Sequence, residues 1–221
     1  MTLPPPLPRF RTRYGPPDTL RAAELSTETG LDAHFNRPTI AITASSGDSG
    51  FGVQYPAASP FVTAVGGTTL TKDPAVARGW SEAAWSGAGS GCSAFEAQPS
   101  WQAANRNVVS VCGARGVADV SADADPGTGV SVFDSVPFQG SRGWLIVGGT
   151  SVGAPVIASV FALAGGVTGS PAAGSLPYAN VAALNDVTSG SNGACGSILC
   201  TATGGWDGPT GLGTPATARA F

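Results

Sequence analysis

The stretch that decides the fold is GWLIVGGTSVGAPVIASVFALAGG, residues 143–166. Its opening letters, GWLIVGG, predict a short buried strand that closes on a glycine pair. The letters that follow, from Thr150 onward, predict an apolar helix that begins directly after those glycines. A strand that leads through a glycine turn into a buried helix is typical of α/β proteins.

The same region has the composition of a membrane span, because residues 143–177 contain no charge. Glycine pairs and Pro155 interrupt it, and its continuous apolar run is shorter than the ~20 residues that a spanning helix needs. We therefore expect a buried helix of a soluble protein and no membrane partner.

Strand-like runs alternate with helical segments along the rest of the chain. TIAITAS, residues 39–45, predicts a strand that follows the end of a helix, and PFVTAVGGTTL, residues 60–70, predicts a strand pair that closes on its glycines. VADVSADADP, residues 117–126, predicts a strand, and GVSVFDSV, residues 129–136, one arm of a hairpin. This alternation predicts the α/β class.

The composition indicates a folded domain without a nucleic-acid partner. Of the 221 residues, 42% are hydrophobic and 11% are charged, which is enough apolar material for a core. The net charge is −3, so no basic surface for nucleic acid is expected. Residues 1–25 are rich in proline and arginine and predict an irregular segment without a signal peptide.

The four cysteines are Cys92, Cys112, Cys195 and Cys200, and no CxxC pair or nearby histidine supports a zinc site. Their even number and the lysine-poor composition predict two disulfides, Cys92–Cys112 and Cys195–Cys200, in an oxidising compartment. Free thiols in a cytosolic protein are the less favoured alternative. An oxidising compartment without an export signal suggests that the chain is part of something longer.

Ser151 in GGTSVGAP is the first candidate for chemistry. It stands at the predicted start of the helix, where backbone N–H groups and the helix dipole favour negative charge, and nucleophilic serines are often displayed in this way. An ordinary helix N-cap would explain Thr150 and Ser151 equally well, and the motif alone favours that plainer interpretation.

Asp48 in SSGDSGFG, residues 45–52, is the second candidate. The letters GDSG match the trypsin-type nucleophile motif and would nominate Ser49, but that site needs a histidine far upstream, and His34 stands too close to it in sequence. Asp48 then either faces a cleft at the end of a strand or occupies an Asx turn beside glycine.

Five segments, SSGDSG, YPAASPFVTAVGGTTL, VADVSADADPGTGV, GGTSVGAPV and DVTSGSNG with GGWDGPTGLG, stand in the order found in the sedolisins. Over roughly residues 31–221 the chain resembles these serine-carboxyl peptidases. The resemblance implies a subtilisin-like parallel sheet flanked by helices and incomplete on its N-terminal side, with residues 26–221 as the C-terminal part of the catalytic domain. It also implies a secreted serine endopeptidase that cleaves proteins or peptides at acidic pH.

The resemblance assigns roles residue by residue. Ser151 matches the nucleophile and Asp48 the aspartate of the oxyanion hole. No organic cofactor is implied, but a structural calcium ion is, as glycine-rich loops with aspartates also allow. The implied calcium ligands are the side chains of Asp186 and Asp207 and the carbonyl oxygens of Val187, Thr203 and Gly205.

The family also uses a glutamate base with an aspartate behind it, in an E-x-x-x-D helix upstream of SGD, which suits acidic pH better than histidine. His34 is then a surface residue. Glu28 and Asp32 fit this spacing by letter, but Asp32 lies in the segment directly before SGD, so we expect neither to act in catalysis. We expect a truncated chain whose acidic pair is supplied elsewhere; the alternative is a non-catalytic calcium- or peptide-binding remnant of the fold.

Overall fold

The computed structural model describes residues 24–138, 140–167 and 172–221, so the predicted irregular segment, residues 1–25, lies outside the described residues except for its last two. Within these ranges, no helix is long and apolar enough to cross a membrane. The strands are Thr43–Ser45 (β1), Thr63–Lys72 (β2), Trp80–Ala84 (β3), Gly91–Cys92 (β4), Gly116–Val117 (β5), Val120–Asp123 (β6), Val130–Phe138 (β7), Ser141–Val147 (β8), Leu184–Asn185 (β9) and Thr214–Pro215 (β10). The α-helices are Ser100–Ala103 (α1), Arg106–Val111 (α2), Thr150–Leu163 (α3) and Ser175–Ala179 (α4), and 3-10 helices span Glu28–His34, Val181–Ala183 and Ala218–Ala220.

Strand β2 is the centre of the main sheet. It pairs in parallel with β1 on one edge and with β6 on the other. Val65 of β2 is opposite Ser45 of β1 on the first edge and Val120 of β6 on the second. Strand β3 pairs antiparallel with the later part of β2, on the same edge as β1. A sheet with parallel strand pairs and helix α3 packed against them confirms the predicted α/β class.

The predicted strand pair in residues 60–70 is wrong, because β2 runs through this segment without a turn. Gly66 and Gly67 lie inside the strand, where a Cβ on Gly66 would collide with the carbonyl oxygen of Pro209. A Cβ on Gly67 would lie 2.7 Å from the Cβ of Ala124. The two glycines therefore allow neighbouring segments of the chain to approach β2 closely, and they do not reverse the direction of the strand.

Helix α3 covers one face of the sheet and confirms the helix predicted after residue 149. Because side chains alternate along a strand, Val65 points towards α3 while Ala64 points to the opposite face, where it packs with Ala44 and Val117. Each large apolar side chain buried here contributes roughly 1.5–3 kcal/mol. The cluster between the sheet and α3 consists of Val65, Val120, Ala122, Ala154, Ile157, Phe161, Val167 and Ala173.

The strand predicted from GWLIVGG forms as part of β8, but its predicted burial is wrong. Strand β8 pairs antiparallel with β7 in a two-stranded ribbon, where Trp144 is 74% and Ile146 63% exposed. The ring of Trp144 packs edge to face on Phe133, with centroids 5.5 Å apart. The apolar residues of GWLIVGG therefore do not distinguish a buried strand from an exposed ribbon strand.

A buried ion pair joins the start of β2 to two helices. The side chains of Arg115 and Asp119 are fully buried, and the guanidinium donates two hydrogen bonds to the carboxylate, at 2.6 and 2.5 Å. Asp119 also accepts from the backbone N–H of Ala64 on β2, at 2.7 Å. Two further donors come from the helices, Gln102 Nε2 of α1 at 3.1 Å and the Tyr178 hydroxyl of α4 at 2.9 Å.

Both predicted disulfides are present. Cys92, at the end of β4, is bonded to Cys112 directly after α2, and Cys195 is bonded to Cys200 within one loop. In the ranges that the structure describes, no cysteine is free. The first bridge therefore closes the segment that contains α1 and α2, and the second fixes a short turn.

Replacing Arg115 with methionine should lower the free energy of unfolding by about 3–5 kcal/mol, because Asp119 would remain buried without its cation. Urea denaturation measures this loss. The matched control is Arg219→Met at an exposed position, which should change stability by less than about 0.5 kcal/mol. Equal effects of the two substitutions would show that the buried pair is not the determinant of stability that we describe.

Loss of the Cys92–Cys112 bridge, through paired serine substitutions, should cost about 3 kcal/mol, and loss of Cys195–Cys200 about 2 kcal/mol. The difference arises because the first bridge spans 20 positions and the second only 5. Thermal denaturation of the two double mutants compares them. Mass spectrometry of unreduced digests should find both cross-linked peptides, and four free thiols in oxidatively produced protein would contradict the pairing.

Candidate active site

The site begins where β8 passes into α3. Strand β8 ends at Val147, and Gly149 stands directly before the first residue of the helix with φ at +102°, a conformation that glycine adopts without steric cost. A Cβ at Gly149 would also lie 2.8 Å from Oδ2 of Asp48. Glycine is therefore required both for the turn and for the approach of Asp48.

Ser151 is the second residue of α3, and its side chain is exposed. Among the residues that the structure describes, none forms a hydrogen bond with its hydroxyl. Its backbone N–H lies in the first turn of the helix, where N–H groups have no acceptor within the helix. The N-cap is Gly149, so the plainer interpretation of Ser151 as an N-cap is wrong.

Asp48 lies beyond the end of β1 and is held by Thr150. Its Oδ1 accepts from the backbone N–H of Thr150 at 2.6 Å and from the Thr150 hydroxyl at 2.8 Å. The carboxylate is therefore fixed by the first residue of α3 rather than by an Asx turn, and Oδ2 has no donor among the described residues. The Asp48 carboxylate is thus hydrogen-bonded to Thr150, the residue directly before the candidate nucleophile Ser151.

Thr150 is the site residue whose role sequence reasoning missed. Its side chain is completely buried, and besides the bond to Asp48 its hydroxyl lies 3.1 Å from the carbonyl oxygen and 3.2 Å from the N–H of Gly47. A small polar residue between a glycine pair and Ser151 was interpreted as a cap. Only the approach of residues 47–48, more than a hundred positions away in the chain, shows that it connects two loops.

The structure keeps Glu28 and Asp32 apart from this site. Oδ1 of Asp32 accepts from the hydroxyls of Tyr55 at 3.0 Å and Ser59 at 2.6 Å, and Glu28 accepts from the N–H of Leu25 at 2.6 Å. Neither carboxylate forms a hydrogen bond with Ser151 or Asp48. Glu28 and Asp32, which match the E-x-x-x-D spacing, therefore form contacts other than those expected of a catalytic pair.

The C-terminal loops bring Asp186 and Asp207 together. Asp186 accepts from the N–H of Gly205 at 2.8 Å, and Asp207 accepts from the N–H groups of Thr203 at 2.9 Å and Thr210 at 3.0 Å. Asp207 is completely buried, whereas Asp186 is exposed. Burial raises the pKa of Asp207 to about 7, and the charge of Asp186 contributes to the shift.

Three backbone carbonyl groups belong to residues that adjoin these two carboxylates in the chain or donate an N–H to them. The carbonyl oxygens of Val187, Thr203 and Gly205 accept no hydrogen bond from any residue in the described ranges. No group of three or more His, Cys, Asp or Glu side chains within those ranges is arranged to hold a metal ion. A cation at this place would therefore need the carbonyl oxygens as well as the two carboxylates, the donor set that suits calcium.

Relatives of known identity match most of the chain, although no family model matches it. Sedolisin of Pseudomonas sp. (strain 101) is 35% identical over 181 residues, 75% of this chain and 29% of that protein. Kumamolisin of Bacillus sp. (strain MN-32) is 34% identical over 203 residues, 80% of this chain and 35% of that protein. Tripeptidyl-peptidase sed1 of Aspergillus fumigatus is 31% identical over 224 residues, 86% of this chain and 33% of that protein.

A solved structure shows the same fold. Pseudomonas sedolisin, a serine-carboxyl proteinase complexed with two molecules of pseudo-iodotyrostatin, matches with a TM-score of 0.69 and 31% sequence identity, covering 88% of this chain and 58% of that chain. The chain spans about a third of the length of the curated relatives. Shared sequence and shared subtilisin-like architecture agree, and the chain belongs to the sedolisin family.

Proposed function

We propose that this chain carries the nucleophile of a sedolisin-type serine endopeptidase that cleaves proteins or peptides at acidic pH. The observation that supports this most is the junction of β8 and α3. There the hydroxyl of Ser151 has no internal partner, and the carboxyl group of Asp48 is held one residue away by Thr150. The solved relative that matches the chain is described as a serine-carboxyl proteinase, which supports the same chemistry.

In this proposal Ser151 Oγ attacks the carbonyl carbon of the peptide bond. The oxyanion that forms would be stabilised by the backbone N–H of Ser151 in the first turn of α3 and by Asp48. The neighbouring N–H groups of Thr150 and Val152 already donate to Asp48 and Gly149. A carboxyl group donates a hydrogen bond only while it is protonated, so Asp48 can contribute only under acidic conditions. Thr150 already donates to Oδ1, which leaves Oδ2 as the oxygen that would carry the proton.

The proton of the serine hydroxyl needs an acceptor, because an unassisted hydroxyl is a weak nucleophile. No carboxylate or imidazole of the described residues is bonded to Ser151. We propose that a glutamate and an aspartate from outside these residues act as base and support, either from the same polypeptide or from another one. The outer edge of β1 has no strand partner among the described residues and could receive further strands of the sheet.

A second candidate is a non-catalytic member of the fold that binds peptide or calcium. The observation that favours it is the same absence of a base next to Ser151 in the described residues. The two proposals differ in one measurable property, since a peptide-binding remnant would bind substrate without turnover even when the rest of the fold is supplied.

We propose a structural calcium ion at the C-terminal loops. Asp186 and Asp207 would supply carboxylate oxygens, and Val187, Thr203 and Gly205 would supply carbonyl oxygens. The support is the gathering of two acidic side chains beside three carbonyl groups that accept no hydrogen bond from the described residues. Bound calcium would offset the repulsion between the carboxylates and hold the loops together.

We further propose that the protein functions outside the cytosol. The support is its two disulfides, which persist in oxidising compartments.

The 221-residue chain by itself should show no peptidase activity between pH 3 and pH 8 on casein or a peptide library, because no described residue is placed as a base for Ser151. Fusion to the upstream part of a relative, which carries the acidic pair, should give activity with an acidic optimum. Ser151→Ala in that fusion should reduce turnover by roughly 10³–10⁶-fold.

The matched control for the fusion is Glu28→Ala, which should keep near-normal turnover because, among the described residues, Glu28 is hydrogen-bonded to Leu25 and not to Ser151. Activity of the chain alone that Ser151→Ala abolishes would show that a carboxylate described above acts as base. A fusion that binds peptide but never turns it over would favour the non-catalytic alternative.

Calcium should raise the melting temperature, with a gain of about 2.7 kcal/mol when its concentration is 100 times the dissociation constant. Chelation should remove this gain in the wild type and leave Asp186→Asn unchanged. Asp186 is exposed, so its substitution tests the site without opening the interior. Equal chelator sensitivity of the variant and the wild type, in differential scanning calorimetry, would contradict the site.

A further inference from the structure

Four carboxyl groups meet where residues 24–34 lie against the turn at residues 93–96. They are Glu24, Glu28, Asp32 and Glu96. No Lys, Arg or His of the described residues forms an ion pair with any of them, since the ion pairs found there join Arg78 to Glu82 and Arg115 to Asp119. Without a counter-ion among the described residues, four carboxylates repel one another, so another interaction must make this contact favourable within that part of the chain.

Glu96 is the buried member of the group. It is only 4% exposed, and its Oε1 has no hydrogen-bond partner among the described residues. Its carboxyl group faces Asp32 within hydrogen-bonding reach. Two carboxylates only accept hydrogen bonds, so this contact becomes a bond only when one of them holds a proton.

The other contacts decide which group holds that proton. Asp32 already accepts from the hydroxyls of Tyr55 and Ser59 through Oδ1. Glu24 accepts from the hydroxyl of Ser93 and, at 2.8 Å, from the N–H of Ala94. Asp32 and Glu24 therefore each have hydrogen-bond donors of their own. The buried Glu96 has no such donor to its Oε1, so the proton belongs on Glu96.

The remaining charged neighbour does not neutralise the cluster. The backbone N–H of Arg115 donates to the carbonyl oxygen of Glu96 at 3.0 Å, but its guanidinium is bonded to Asp119. Tyr55 faces both Asp32 and Glu96 as a neutral phenol, because burial and the hydrogen bond to Asp32 raise its pKa. Protonation of Glu96 is therefore the change that removes charge from this contact.

We propose that Glu96 and Asp32 form an acid clamp, in which a proton on Glu96 is shared with Asp32 and fastens residues 24–34 to the turn at residues 93–96. When Glu96 loses its proton, three ionised neighbours repel it and the segment is released. The clamp does not depend on peptidase activity, because none of its groups contacts Ser151.

The direction of the pH dependence follows from the environment of Glu96. Burial, then the bond and charge of Asp32, then the charges of Glu24 and Glu28 raise its pKa from 4.5 to about 7. A carboxyl group whose pKa is raised in the folded protein stabilises the fold fully below its unfolded value. The stabilisation is lost as the pH rises from 4.5 through 7, so the clamp holds in acid and opens near neutrality.

Peptide-resolved hydrogen exchange, corrected for intrinsic rates, tests the clamp at pH 5 and pH 8. In the wild type, protection of residues 24–36 should fall at least tenfold at pH 8. In Glu96→Gln it should be the same at both values, because the neutral amide can donate to Asp32 at any pH. The matched control is Asp134→Asn in β7, which neutralises a carboxylate outside the cluster, keeps an acceptor for the N–H of Val136 and should leave the wild-type loss intact.

Equal protection of the wild-type segment at both pH values, or an equal loss in Glu96→Gln, would overturn the proposal. A titration of the wild-type protein keeps the test independent of the variant. Carbon NMR of the glutamate side-chain carboxyl groups should show Glu96 titrating with a midpoint near 7, and a midpoint near 4.5 would overturn the clamp equally.

Discussion

The ion pair between Arg115 and Asp119 is the interaction on which the arrangement of the sheet depends. Taking two charges out of water is costly, and the cost is recovered only when geometry and further hydrogen bonds are good. Here Asp119 is bonded to Arg115, to β2 through Ala64, and to side chains from α1 and α4. Removing one partner would leave the others with a buried charge, so these elements are held as a unit.

The position of β2 in turn fixes the candidate site. Strand β1 is in register with β2, and Asp48 follows β1 by three residues. On the covered face, α3 packs against β2 and β6 and presents Ser151 at its first turn. The two functional groups thus come from elements that share the same central strand, and Thr150 joins them by bonds of 2.6 and 2.8 Å. A parallel sheet places ligand-binding groups at the carboxyl ends of its strands. The loop that carries Asp48 leaves the sheet at that end of β1, whereas Ser151 follows β8 of the separate ribbon.

The local sequence predicted part of the fold and of the candidate site correctly. The strand–glycine–helix sequence around Ser151, the α/β class and both disulfides were visible in the letters, because each depends on residues close in sequence or on an even number of cysteines. Long-range contacts were not visible. Gly66 and Gly67 were interpreted as a turn, since their close neighbours come from distant loops. The segment that forms β8 was predicted as a buried strand, because an apolar run does not show what lies opposite it.

Polar residues were harder still to interpret. Arg115 and Glu96 lie in turn-rich sequence where charge usually means exposure, yet both are buried. The partner of Arg115, Asp119, is only four positions away, but the spacing alone does not show that both side chains are buried. No residue near Glu96 in the chain indicates that it lies against Asp32. Thr150 is a residue type that often caps helices, but here its hydroxyl bonds the start of α3 to Gly47 and Asp48. For Glu96 and Thr150 the deciding group is a carboxylate from a distant part of the chain, which a single sequence does not reveal.

The contact between Gly66 and Pro209 has a consequence for how the protein can vary. The carbonyl oxygen of Pro209 accepts from the N–H of Gly67 at 3.3 Å, and the carbonyl oxygen of Gly208 accepts from the N–H of Ala118 at 2.8 Å. Hydrogen bonds between main-chain atoms therefore hold the C-terminal loop against β2 and the segment before β6. Position 66 has no side chain of its own to lose, yet any residue larger than glycine would push that loop away. In a saturation library this site should be as intolerant as the nucleophile, for a purely architectural reason. Sequence invariance at such a glycine would record the path of a distant loop and carry no information about chemistry.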